Sequence, residues 1–155
     1  MQVNKVTVKA IETALRLEEM SFTYYHKKYK ELKEHLFRNL LLFLAHQEED
    51  HIKYVNKIKK SLMKKGKWQK IKKLPKLTNL FKPIKKIDHE THEVQILHVA
   101  MEFERRTKEF YARESTKTKD SAVKRFFKNM AKYEEAHYKL LDGMYDSFMY
   151  VRLET

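Results

Sequence analysis

Two short motifs in this 155-residue chain, Glu48-x-x-His51 and Glu134-x-x-His137, set a carboxylate and an imidazole three residues apart. On a helix that spacing puts both side chains on one face, where both can reach a single ion. Two further glutamates, Glu18 and Glu104, stand in the middle of apolar stripes of helical period. The stripe around Glu18 is Ile11, Ala14, Leu15, Phe22 and Tyr25; around Glu104 it is Leu97, Ala100, Met101 and Tyr111. The two motifs lie in stripes of the same kind. One holds Phe37, Leu41, Leu44, Ala45, Ile52 and Val55, the other Val123, Phe127, Met130, Ala131, Tyr138 and Leu141. A lone carboxylate in such a stripe is expensive to bury. Four pointing into one core repel one another unless cations neutralise them. A glutamate from each of two helices, with a Glu-x-x-His from each of two more, is a ligand set for a pair of metal ions inside a helical bundle. Each ion takes one histidine and a terminal carboxylate, and the other two carboxylates bridge. The small Ala45 and Ala131, one turn before the motif glutamates, leave space beside them.

The helices that must position these groups are legible as well. The first is expected from about Thr7 to Lys30 and the second from about Glu34 to Leu62. A third starts between Asp88 and Thr91 and ends near Ser115. A fourth starts at Asp120 or Ser121 and runs to about Tyr150. Short connections make each successive pair an antiparallel hairpin. The expected layout is one domain over 1–155, with hairpins at 7–62 and 88–150 and a long crossover at 63–87. Gly66, Pro75 and Pro83 break that crossover, and Trp68, Leu74, Leu77, Leu80 and Phe81 suit it to packing across the bundle.

The hairpins repeat each other. A shift of 86 residues carries Glu18 to Glu104, Tyr25 to Tyr111, Ala45 to Ala131, Glu48 to Glu134 and His51 to His137, with no insertion. Apolar positions follow: Leu44 and Met130, Val55 and Leu141, Leu62 and Phe148. A tandem duplication is the simplest account. The matched Tyr25 and Tyr111 fall two turns after the single glutamates, where their hydroxyls can support a ligand carboxylate; plain aromatic packing is the alternative. Glu19, Glu49, Asp50 and Glu135 fall off the core faces as surface charge. His26, His35, His46, His89, His92 and His98 lack paired spacing and read as structural or solvated.

Composition narrows the chemistry. With 2 Gly, 2 Pro and 35% charged residues, the chain suits long helices. It has no cysteine, which excludes disulfides, zinc ribbons and cysteine-bound iron. The stretch from Met1 to Ala10 lacks the apolar run of a signal peptide. No run of about 18 apolar residues spans a membrane. The expectation is a soluble cytoplasmic protein. The net charge of +13 is local: residues 52–87 hold 14 lysines, no arginine and no acid, and the remainder is nearly neutral.

Taken together, Glu18…Tyr25, Glu48-x-x-His51, Glu104…Tyr111 and Glu134-x-x-His137 resemble the rubrerythrin branch of the ferritin-like superfamily, over both hairpins. The resemblance implies an all-α four-helix bundle with a non-haem di-iron site, manganese being the other candidate metal, that reacts with hydrogen peroxide or oxygen. It also implies a homodimer. Two departures stand out. Members of that branch carry a rubredoxin-like iron site bound by four cysteines, which this chain lacks. They also carry an extra glutamate one turn beyond the third-helix ligand, where this chain has Thr107, with Ser21 as its repeat mate.

Three functions compete. An oxidoreductase would reduce peroxide or oxygen with electrons from a separate protein. An iron-handling protein would oxidise and store ferrous iron. A binding module would use the lysine segment for nucleic acid, anionic lipid or an acidic redox partner. A solvated lysine-rich surface is the plainest reading of that segment. Among specific partners an acidic electron donor fits best, because a cysteine-free di-iron protein needs one.

Overall fold

Four long helices form because apolar residues recur at helical spacing, breakers are few, and each start carries a capping side chain. The computed structural model describes residues 2–71, 74 and 91–154, with side chains through residue 150. Helix α1 spans Lys5–Lys28, and the Asn4 side chain accepts a hydrogen bond from the Val6 amide at 2.8 Å. Its last turn tightens into a 3-10 turn, Tyr29–Glu31. Helix α2, His35–Lys65, starts at Glu34, whose carboxylate accepts from the Phe37 amide. Helix α3, His92–Lys117, is capped by Thr91 through the Val94 amide. Helix α4 spans Ser121–Glu154, and Asp120 accepts from the amides of Ala122 and Val123.

The ends differ from expectation by a turn or less. Helix α1 begins two residues earlier than Thr7 because Asn4 supplies the cap. Helix α2 continues past Leu62 through Lys65, since Met and Lys are good helix formers and nothing interrupts them before Gly66. Helices α3 and α4 likewise run beyond Ser115 and Tyr150.

The architecture is an all-α four-helix bundle. Helix α1 packs on α2 and α3 on α4, and the hairpins meet through α1 against α3 and α2 against α4. Ring contacts of Tyr54 with Phe126 and of Phe37 with Phe148 run α2 and α4 antiparallel. Among the described residues no strand forms, and no helix is long and apolar enough to cross a membrane.

The core falls into two apolar clusters. One joins Ile11, Ala14, Leu17, Val55, Tyr111, Phe127 and Met130. The other joins Tyr25, Phe37, Leu41, Leu44, Leu97, Ala100 and Leu141. Each helix passes from one cluster to the other, and Glu18, Glu48, Glu104 and Glu134 sit on the segments between. The start of the crossover is clipped to α1: Trp68 packs on the first cluster and donates to Glu12 at 3.1 Å. Lys59 stands over the Trp68 ring and pairs with Glu12 at 2.6 Å. Trp68 thus packs against the bundle as its apolar character suggests; Leu77, Leu80 and Phe81 lie outside the described residues, as does His89.

Gly143 offers a test of the helix assignment. It lies exposed inside α4, and a Cβ built on it meets nothing within 4 Å. Glycine in a helix interior costs roughly 0.5–1 kcal/mol relative to alanine. Gly143→Ala should therefore raise the melting temperature by about 2–3 °C, read by circular dichroism. A lower melting temperature would contradict a regular helix there.

Candidate metal centre

Where the two apolar clusters meet, the helical period turns four carboxylates and two imidazoles inward. Glu18 and Glu48 have no solvent exposure, Glu104 and Glu134 1%, and the two histidines little more. The layer is polar, and almost no water reaches it.

Its geometry follows the repeat. His51 Nδ1 lies 3.2 Å from Glu18, 3.1 Å from Glu134 and 3.7 Å from Glu48. His137 Nδ1 lies 3.5 Å from Glu104, 3.0 Å from Glu48 and 3.8 Å from Glu134. Each histidine thus faces the single glutamate of its own hairpin, and Glu48 and Glu134 each lie against both histidines. The two imidazoles stack at 5.1 Å between centroids, tilted 13°. Glu48, His51, Glu134 and His137 each offer a ligand atom within 4.8 Å of the others. Glu18 and Glu104 flank this inner group, one beside each histidine. All six residues singled out by spacing come together.

The tyrosines cross between hairpins. Tyr25 of α1 donates to Glu104 of α3, and Tyr111 of α3 donates to Glu18 of α1. Burial first, then the surrounding carboxylate charge, pushes both phenols well above their ordinary range. Both therefore stay protonated and act as donors.

The other acids and histidines behave as their positions suggested. Glu19, Glu49 and Asp50 are exposed, and Glu135 is paired with Lys108 at 2.5 Å. His26, His35, His46 and His92 are exposed and His98 half-buried. One neighbour was not legible in the sequence. Tyr133, 46% exposed, stacks on His51 at 5.4 Å and joins the buried imidazole pair to the surface. Its position one turn before His137 was the only available signal.

The protonation pattern expresses crowding. Burial, then the charges of Glu18 and Glu104, pushes Glu48 up to about 8. Burial and neighbouring carboxylates raise Glu104 and Glu134 too. Burial also acts to raise Glu18, but contacts with Glu48, His51 and Tyr111 outweigh it, and Glu18 ends below the ordinary carboxylate range. Burial opposes a charge on His51 and His137, yet the carboxylates around them raise both, His137 to about 12.

Hydrogen bonding does not satisfy the layer. Both Glu48 oxygens, one oxygen each of Glu104 and Glu134, and His137 Nδ1 are buried without a hydrogen-bond partner. His137 Nδ1 and Glu48 Oε1 approach to 3.0 Å without hydrogen-bond alignment. Close, unaligned nitrogen and oxygen atoms in a carboxylate-rich layer suit cations held in common. Oxygen and imidazole donors without sulfur favour iron or manganese over soft metals.

The sequence pattern of the rubrerythrin family matches residues 9–145. No curated protein matches this sequence. A solved structure described as a hypothetical protein from Pyrococcus furiosus superimposes with a TM-score of 0.71 at 19% identity, covering 90% of this chain and 88% of that one. At that identity the likeness concerns the fold.

The raised groups make stability depend on pH. Glu48, Glu104 and Glu134 hold protons to higher pH in the folded chain than in the unfolded one, as do His51 and His137. From about pH 5 upward the folded state binds the excess protons, so its stability falls as pH rises. Glu18, lowered, acts in the opposite sense and only below the ordinary carboxylate range. The metal-free protein should melt at a lower temperature at about pH 8.5 than at about pH 5.5. Added ferrous or manganous ion should displace the protons and remove or reverse that fall. Thermal melts at both pH values, with and without metal, check this; a pH-independent metal-free protein would refute the crowded layer.

Proposed function

The chain belongs to the rubrerythrin family, and from that premise we propose that it is a di-iron oxidoreductase that reduces hydrogen peroxide, or oxygen, with electrons from a separate protein. The observation that carries the reading is the paired arrangement of buried ligands, each histidine between its own single glutamate and two shared ones. In this reading Glu18, Glu48, His51, Glu104, Glu134 and His137 would hold the ions, with Glu48 and Glu134 close to both histidines. A pair of ferrous ions, when bound, would supply the two electrons that, together with two protons, reduce one hydrogen peroxide to two waters. The chain's own residues do the rest. Tyr25 and Tyr111 fix the orientation of Glu104 and Glu18 by hydrogen bonds across the hairpins. The apolar clusters on either side exclude bulk water and hold the ligand helices in place. Manganese suits the same donors and is the alternative metal.

In this reading electrons arrive from a separate protein, since none of the 155 residues is a cysteine that could hold an iron relay. The lysine-rich segment supplies a docking surface for an acidic donor. Its described part includes Lys53, Lys57, Lys60 and Lys64, all exposed and spaced to form one stripe on α2. That stripe lies on the same helix as His51, against which Tyr133 stacks.

Anaerobic protein should take up about two irons per chain, and Glu48→Ala or Glu134→Ala should lower that content. Hydrogen peroxide should oxidise the ferrous form faster than air does, followed by absorption. Faster reaction with oxygen and a growing mineral core would shift the assignment to iron storage.

Docking by the lysine stripe should show in the salt response. Reduction by an acidic iron–sulfur protein should slow steeply with ionic strength, because exposed charges are screened beyond about 8 Å at physiological salt. Changing Lys53, Lys57, Lys60 and Lys64 to Gln should imitate high salt and leave metal content alone. An unchanged reduction rate would reduce the stripe to a solvated surface; salt-dependent retention of DNA or RNA, lost in the same variant, would point to nucleic acid instead.

A further inference from the structure

One buried polar group beside the centre is left without a role by this reading. Thr107 is 2% exposed, and its hydroxyl has no hydrogen-bond partner. Among the described residues, the other side-chain atoms in that condition all belong to Glu48, Glu104, Glu134 and His137. Serine and threonine within helices commonly turn their hydroxyls onto a carbonyl three or four residues back. Thr13, Ser115, Thr116 and Ser147 do so here. Thr107 does not.

Its place in the helix is informative. Thr107 follows Glu104 by three residues and precedes Tyr111 by four, so all three share the inward face of α3. Glu104 lies against His137, and Tyr111 reaches across to Glu18. Along α3, Thr107 therefore stands between a residue facing one histidine and a residue supporting the other half. A buried hydroxyl without a partner is costly, and such groups in native proteins mark water, an ion or a catalytic role.

Resting on the two-metal reading, we propose that the Thr107 hydroxyl donates a hydrogen bond to the small oxygen-bearing ligand taken up at the centre, hydrogen peroxide or its hydroperoxide anion, and so positions it on the α3 side. The hydroxyl is a donor that no protein acceptor claims. It needs no titration to act.

Azide, a small anion, is the probe. Parent, Thr107→Val and Thr107→Ser proteins are loaded with iron, oxidised and titrated with azide by difference absorption. Valine keeps the shape of threonine without the hydroxyl, and serine keeps the hydroxyl. Thr107→Val should bind azide about tenfold more weakly, the loss of one hydrogen bond to a charged group. Thr107→Ser should stay within about threefold of the parent, with equal iron content in all three. A second measurement separates positioning from plain structure. In the metal-free proteins Thr107→Val should melt no lower than the parent, because no protein hydrogen bond is lost. Equal azide affinity in the parent and Thr107→Val overturns the proposal. So does a metal-free Thr107→Val that melts well below both the parent and Thr107→Ser. A parent that takes up no iron overturns the two-metal reading and this inference with it.

Discussion

Four carboxylates buried in one layer of a helical bundle must be neutralised, and most features of this chain answer that demand. Two unit charges about 4 Å apart at an effective dielectric of about 20 repel by roughly 4 kcal/mol, and the layer holds several such pairs. Without metal, protons supply the balance: three carboxylates shift upward and both imidazoles are held in the charged form. Two divalent cations would balance four carboxylates fully with neutral imidazoles, and would also occupy the oxygens that hydrogen bonding leaves stranded. A protonated layer leaves those oxygens unmatched. The donor atoms fit metal better than they fit each other.

That layer also explains the division of the core. A continuous apolar core would hold the helices together more simply, yet here two clusters are separated by the acids and histidines. Each cluster anchors all four helices on its side, so the segments between are held at both ends. The crossed tyrosines then tie the halves together. Glu18 is supported from α3 and Glu104 from α1, so neither hairpin alone supplies the support of its own single glutamate. The two hairpins are similar halves, but the hydrogen bonds make each incomplete without the other.

What the sequence revealed followed from local geometry. A three-residue spacing fixes two side chains on one helix face whatever the partners, so the inner motifs and the single glutamates were recognisable before any packing was known. Repetition at a constant shift strengthened that reading, because chance does not reproduce three buried polar residues in register. Thr91 and Asp120 were among the expected helix starts for the same local reason. The rest depended on contacts between helices. Spacing put Tyr25 and Tyr111 on inward faces but could not say that each would serve the other hairpin. Tyr133 was anonymous because its stacking partner sits on α2, far away in sequence. Lysines 64 and 65 carry no stop signal, so the end of α2 was set by Gly66 rather than by the last apolar residue of the stripe.

The placement of charge completes the physical account. Fourteen lysines make the chain strongly basic, yet none of the groups that shift the buried carboxylates is a lysine. The layer is governed by its own members and by burial, whereas the lysines on the outer face of α2 lie in solvent, where salt screens them. Two electrostatic regimes therefore share one helix. The inward face, with Glu48 and His51, works in a dry setting where pairing is short-ranged and strong. The outward face projects a diffuse positive field that acts on whatever approaches. Because the regimes are separated by the width of a helix, surface charge can set association without disturbing the ligand layer. The stacked ring of Tyr133, itself exposed, is where the buried layer comes within one side chain of solvent.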